Sequence, residues 1–100
     1  SVQENLENEQ AKIFFEENFK TPPHIAISYT LDNEKKTLTV LTIARISKDD
    51  FEELTEKLHQ KTQLKPFHLE IFSSEDREEM EAMIDQRLSE TGKRAIPSVQ

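Results

Sequence analysis

The sequence predicts an α+β domain in which helices pack on a mixed sheet of about three strands, in two layers. Apolar residues recur at helical spacing in three segments and alternate with polar residues at strand spacing in three others. Prolines, polar turns and helix-capping residues separate these segments. The predicted order is helix, strand, strand, helix, strand, helix, and a chain of 100 residues has room for a single core.

The first helix is predicted from Asn5 to Lys20, a segment that no proline or glycine interrupts. Several of its apolar residues recur every four positions, which places them on one helix face. The Pro22-Pro23 pair ends the helix, because proline lacks an amide donor and disfavours helical geometry in the residue before it. The predicted buried sector consists of Leu6, Ala11, Ile13, Phe14, Phe15 and Phe19.

A β-hairpin is predicted next. Its first strand runs from Ile25 to Leu31. The alternation along this strand places Ile25, Ile27, Tyr29 and Leu31 on the buried face. The polar segment 32–36 forms the turn, and the second strand spans 37–46. This second strand is apolar on both faces, which predicts either a central strand or a sheet whose second face meets another surface.

The rest of the chain is predicted as helix, strand and helix. Ser47 caps a helix that continues to about Gln63, and the third strand spans 67–72. The second strand, this helix and the third strand then form a crossover unit. Ser73 or Ser74 caps the last helix, which carries Met80, Met83, Ile84 and Leu88 on one side.

The domain is predicted over residues 1–92. Gly92 suits the left-handed position after a helix end, and residues 93–100 are predicted to be a flexible C-terminal tail. No apolar run approaches the roughly 20 residues that span a bilayer, so we expect no direct membrane insertion by this segment. The chain opens with Ser1 rather than Met, which favours a piece of a longer protein.

The composition disfavours several classes of function. Thirteen Lys and Arg against twenty Asp and Glu give a net charge of -7, so we expect no nucleic acid partner. The absence of cysteine excludes disulfides, thiolate zinc sites and cysteine nucleophiles. The single glycine excludes phosphate-binding loops that need two or three. We therefore predict no cofactor and no enzyme activity.

The three histidines, His24, His59 and His68, have no histidine partner at metal-ligand spacing, so no metal site is predicted. His59 has Glu56 and Gln63 as helical neighbours, but a structural histidine on a helix flank explains it more simply. The acidic residues around 75–81 are interpreted as solvated helix surface. No catalytic residue is predicted.

The second sheet face is the predicted functional surface. Leu41, Ile43 and Phe72 are its apolar residues, and exposing them in isolation is unfavourable. We therefore expect self-association there, or docking of a protein partner or of the last helix. A sheet edge could also pair across a two-fold axis.

A resemblance to a known family rests on three segments, 13–19, 38–43 and 54–71. They resemble the soluble region of a bacterial multi-pass membrane protein family of unknown function, the uncharacterised hydrophobic proteins. In that family a helix ends in an acidic residue and Phe, and here Glu17-Asn18-Phe19 corresponds to it. The family's Leu-x-x-x-Leu helix corresponds to Leu54-Thr55-Glu56-Lys57-Leu58, and its Leu-x-Ile strand corresponds to Leu69-Glu70-Ile71. The resemblance implies an extramembrane region of a bacterial membrane protein, and it supplies no catalytic residue.

Three functional hypotheses follow. The first is a non-enzymatic accessory or interaction domain of a larger, membrane-embedded protein. This domain contacts the rest of that protein, a separate protein partner or a second copy of itself. The second is a small-molecule sensing module or minor enzyme that uses His59 or His68 in a pocket between sheet and helices. The third is a small acidic protein that mimics a polyanion or neutralises a basic partner. It requires the acidic residues of the last helix to form one continuous surface with those of the middle helix.

Overall fold

The computed structural model describes residues 1–91. It contains three α-helices, a short 3₁₀ helix and three strands, in the predicted order, so the α+β class is confirmed. The predictions for Gly92 and for the tail 93–100 lie outside the described residues. The elements are α1 (Val2–Phe19), β1 (Ala26–Asp32), β2 (Thr37–Thr42), α2 (Lys48–His59), the 3₁₀ helix (Thr62–Leu64), β3 (His68–Ser73) and α3 (Arg77–Glu90).

The three strands form one mixed sheet in the order β1-β2-β3. β1 and β2 are antiparallel, with Tyr29 opposite Val40, and β2 and β3 are parallel, with Leu38 opposite Leu69. β2 is therefore the central strand, which is one of the two alternatives that its two-sided apolar pattern left open.

The core lies between one sheet face and the helices α1 and α2. Phe19, at the end of α1, meets Phe14 edge to face and stacks on Phe15, with ring centroids 5.8 Å apart in both pairs. Phe15 also reaches the Tyr29 ring of β1 at 4.6 Å, which joins the helix to the sheet. The buried apolar residues are Ala11, Phe14, Phe15, Phe19, Leu38, Val40, Leu54, Leu58, Leu64, Phe67 and Leu69.

Helix α1 begins at Val2, three residues before the predicted start. The Ser1 hydroxyl accepts a hydrogen bond from the Glu4 amide at 3.2 Å, and the Glu4 carboxylate returns to the Ser1 nitrogen. This capping box satisfies free amides of the first turn and fixes the helix start there. The predicted buried sector also needs correction, because Leu6 is exposed and Glu7 is buried in its place.

The alternation of buried and exposed residues predicted for β1 is correct only in the second half of the strand. A β-bulge between Ala26 and Ser28 shifts the register, so Ile27 falls out of the alternation and is 59% exposed. Ile25 lies before the strand and is exposed as well. Beyond the bulge, Tyr29 and Leu31 pack against the core as predicted.

Other boundaries differ from their predicted positions. β2 ends at Thr42, whose hydroxyl donates to the Ala44 carbonyl at 2.8 Å and turns the chain out of the sheet. α2 has the predicted Ser47 cap but ends at His59. The N-cap of α3 is Asp76, because Ser73 instead donates to the Asp76 carboxylate at 3.0 Å and organises the preceding turn.

Within residues 1–91, no helix combines the length and the apolar character needed to cross a membrane.

Candidate interaction surface

Helix α3 lies over the sheet face opposite the core. Leu41 and Phe72 belong to this face, and both are half-buried. Met80, Met83 and Ile84 of α3 line a cleft with them that measures about 150 Å³. The last helix of the chain therefore covers part of the face that the sequence predicts to need a cover. Helices thus lie on both sides of the sheet, which corrects the predicted arrangement in two layers.

The cover is shallow. Every residue of α3 keeps at least partial exposure to solvent, in contrast to the buried residues of α1 and α2. The apolar contact that holds α3 is therefore small, and the helix is expected to open more easily than the core helices.

Ion pairs fasten α3 at both ends. Arg45 meets Asp76 at 2.6 Å near the start of the helix, and Arg87 reaches Glu70 of β3 at 2.8 Å in its last turn. The hydrogen bond from Arg45 holds the pKa of Asp76 below its usual value. Because such pairs near solvent contribute little, they orient α3 more than they stabilise it.

Three exposed isoleucines adjoin the cleft along the chain. Ile84 lines the cleft itself and is 47% exposed, Ile27 precedes the cleft residue Ser28, and Ile43 follows Leu41 by two positions and is 51% exposed. Of the three predicted interface residues, Leu41 and Phe72 thus lie beneath α3, whereas Ile43 remains open to solvent.

Loosening the α3 contact should have a local effect. Replacing Met83 with alanine removes apolar contact beneath the helix, so we expect amides of α3 to exchange hydrogen at least about threefold faster, while those of α1 and β2 keep their rates. Hydrogen exchange followed by mass spectrometry measures this, and the control is Asp85→Ala on the exposed side of α3, which should not accelerate exchange. Equal acceleration throughout α1, β2 and α3 contradicts a separately opening helix.

The histidines named in the small-molecule hypothesis do not meet a carboxylate. His59 Nε2 lies 2.8 Å from the Phe67 carbonyl, a contact that ties α2 to the start of β3. His68 is exposed at the first position of β3. The histidine that does meet a carboxylate is His24, 3.3 Å from Asp50 in an open cleft of about 280 Å³. Within residues 1–91, no three His, Cys, Asp or Glu side chains are arranged to hold a metal ion.

A buried carboxylate, Glu7, was not predicted from the sequence. Its Oε2 accepts hydrogen bonds from Lys36 Nζ at 2.7 Å and Gln3 Nε2 at 3.0 Å, and its Oε1 accepts one from Asn33 Nδ2 at 2.9 Å. Lys36 Nζ also lies 5.3 Å from the centroid of the Phe67 ring. The cluster thereby joins α1, the hairpin turn and the residue before β3.

The charge state of Glu7 follows from these contacts. Burial opposes ionisation and alone raises the pKa, but the hydrogen bonds from Asn33, Lys36 and Gln3 and the charge of Lys36 outweigh it. They lower the pKa of Glu7 from 4.5 to about 2. The carboxylate is 0% exposed yet close to the surface, because the side chains that cover it are themselves partly exposed. Its role is structural, since each of its oxygens is engaged within the fold.

No family model, curated protein or solved structure matches the chain. The function therefore has to be inferred from the chain's own residues.

Proposed function

We propose that this chain is a non-enzymatic accessory domain of a larger, membrane-embedded bacterial protein, and that it acts through contact with a protein partner or through self-association. The domain lies outside the bilayer in this proposal. The segments 13–19, 38–43 and 54–71 resemble the uncharacterised hydrophobic proteins. This resemblance supports the assignment of the domain to a bacterial membrane protein.

The observation that carries the contact role is the sheet face beneath α3. Burying apolar surface is the main source of binding free energy between proteins. Ile84 lines the cleft and stays exposed, and so do Ile27 and Ile43, which lie near cleft residues in the sequence. Methionines such as Met80 and Met83 adapt their shape to an incoming surface. A partner can therefore gain apolar contact here without unfolding the core.

The use of the titratable groups supports the non-enzymatic part. Glu7 joins α1 to the hairpin turn, His59 contacts the Phe67 carbonyl, and Asp76 is paired with Arg45 and Ser73. Each of these groups already serves a structural contact, and a catalytic group has to face a substrate with free hydrogen-bonding capacity.

Light scattering coupled to size exclusion tests the contact role. We expect the wild-type chain to form a dimer or a larger species as its concentration rises, and Ile84→Ala to weaken this association about fivefold, because about 1 kcal/mol of apolar burial is lost. The matched control is Val2→Ala, an exposed aliphatic residue in α1, which should leave the association unchanged.

Salt separates the two driving forces in this experiment. Apolar association persists from low to moderate salt, whereas charge-driven association weakens as salt screens it. A wild-type chain that stays monomeric at every concentration and salt contradicts self-association through this face.

A further inference from the structure

The outer edge of the sheet at β1 is open. β1 has β2 as its neighbour on one side, and no strand among residues 1–91 pairs with its other side. Its regular part runs from Ser28 to Asp32, because the bulge interrupts the register before Ser28. Backbone amides and carbonyls of an edge strand can pair with another strand, so this segment is a template for strand addition.

Helices flank this edge without covering it. A broad groove of about 540 Å³ runs along Thr30, Leu31 and Asp32, with Glu4 of α1 on one side and Arg87 of α3 on the other. Ser28, Thr30 and Asp32 are exposed, whereas Tyr29 and Leu31 are half-buried against the core. An extended chain can therefore reach the strand from the side.

The strand lacks the residues that usually block such pairing. Natural edge strands are protected by lysine, inward-pointing charges, proline or a β-bulge, and the bulge of β1 lies before Ser28, outside the regular part of the strand. β1 has the sequence AISYTLD, in which the one charged residue is Asp32 at the end. In a chain with a net charge of -7, this uncharged strand is a place where two copies can approach with little repulsion.

We propose that the edge of β1 binds a second copy of this chain, with the two β1 strands antiparallel across a two-fold axis at Thr30. The inference rests on the proposed function and deepens it, because it names a second copy as the partner and extends the contact to the β1 edge. This edge adjoins the cleft beneath α3, since Ser28, Tyr29 and Thr30 line that cleft. Two three-stranded sheets then join into one continuous sheet, and the symmetry closes the assembly at a dimer.

The register through Thr30 is self-complementary. It places Tyr29 opposite the partner's Leu31 on the core side, where an aromatic ring and an aliphatic side chain make a favourable cross-strand pair. On the other side, Thr30 meets the partner's Thr30, and the Ser28 hydroxyl can donate to the partner's Asp32 carboxylate. The Tyr29–Leu31 and Ser28–Asp32 pairs each occur twice because of the symmetry, and the Thr30 pair on the axis occurs once.

The same register keeps the negative charges apart. The two Asp32 residues lie four positions from each other along the pair, roughly 14 Å at the rise of an antiparallel strand. This distance exceeds the screening length of about 8 Å in physiological salt. The symmetric antiparallel pair thus avoids the repulsion that two adjacent Asp32 carboxylates create.

Charge substitutions at the two-fold axis test the inference. Thr30 is exposed, so the fold should accept either Thr30→Lys or Thr30→Glu, and circular dichroism verifies that it does. In a homodimer each variant faces its own charge, so we expect both variants to dimerise about tenfold or more weakly than wild type. An equimolar mixture should restore the dimer, because lysine then faces glutamate. Light scattering gives the mass, and labelling one variant shows that the dimer is mixed.

The matched control is His68→Lys, which places a charge on an exposed strand residue at the opposite sheet edge. We expect this variant to dimerise like wild type. A wild-type dimer that is insensitive to charge at position 30 overturns the β1 interface and leaves self-association in place. A wild-type chain that stays monomeric overturns both the β1 interface and self-association. Loss of the dimer in both variants with no rescue on mixing also overturns the Thr30 register.

Discussion

Replacing Phe19 with alanine is expected to lower the free energy of unfolding by about 3–5 kcal/mol. Phe19 is the last residue of α1 and is completely buried, with Phe14 and Phe15 in direct ring contact. The substitution deletes the ring from the core and leaves a cavity. The neighbouring side chains cannot fill this cavity without moving. The loss approaches the total stability of many small domains.

Urea unfolding followed by circular dichroism measures the change. Leu6→Ala in the same helix is the matched control, because Leu6 is exposed, and it should change the free energy of unfolding by less than about 1 kcal/mol. Equal losses for Phe19 and Leu6 contradict the packing described here.

The elements of the fold were predictable because their signals are local. Ala11, Phe15 and Phe19 recur at one helix spacing, and Phe67, Leu69 and Ile71 at one strand spacing, so each pattern needs only its own segment. The apolar residues on both faces of β2 left two alternatives, a central strand or a covered second sheet face, and the strand order was settled only by the structure. Strand pairing then had few arrangements left to choose from.

The bulge and the buried Glu7 were not predictable in this way. Ile27 fits the alternation of Ile25 and Tyr29, and nothing within the segment shows that the register shifts before Ser28. Glu7 lies one turn before Ala11 on the buried stripe, but its burial depends on Lys36, which is 29 residues away. Long-range pairing therefore decided both features.

The candidate surface was predictable in part for the same reason. Leu41 and Phe72 lie on the second sheet face, as their strand positions predict. Which element covers them depends on where α3 packs. The apolar side of α3 is compatible both with packing in the core and with binding a partner. The structure places α3 over Leu41 and Phe72 and leaves Ile43 exposed.

Position 36 shows how strongly the Glu7 cluster constrains the hairpin. The Lys36 backbone is left-handed, with φ at 50°, a conformation that favours glycine and is unfavourable for other residues by roughly 1–2 kcal/mol. Glycine lacks an ammonium group, however, and cannot pair with Glu7. Lysine at this position is explained by the ion pair, which offsets the backbone strain.

Replacing Glu7 with glutamine is expected to lower the free energy of unfolding by about 2 kcal/mol at neutral pH. Glutamine has nearly the same shape, but it removes the negative charge, and its NH2 group is a donor that cannot accept the hydrogen bonds made by one of the two carboxylate oxygens. The partial exposure of Lys36 lets water replace part of the loss, which keeps the effect below that of a deeply buried pair. Urea unfolding measures the change, and Glu16→Gln, on the exposed face of α1, is the matched control.

The pH dependence distinguishes the charge from the shape of this side chain. Because folding lowers the pKa of Glu7 from 4.5 to about 2, its charge stabilises the fold above pH 4.5, and this contribution is lost as the pH falls towards 2. The wild-type chain should therefore lose its advantage over Glu7→Gln across this interval, since protonated glutamate resembles glutamine in charge. A difference between the two chains that stays constant from pH 7 to about pH 2 contradicts a stabilising contribution from the charge of Glu7.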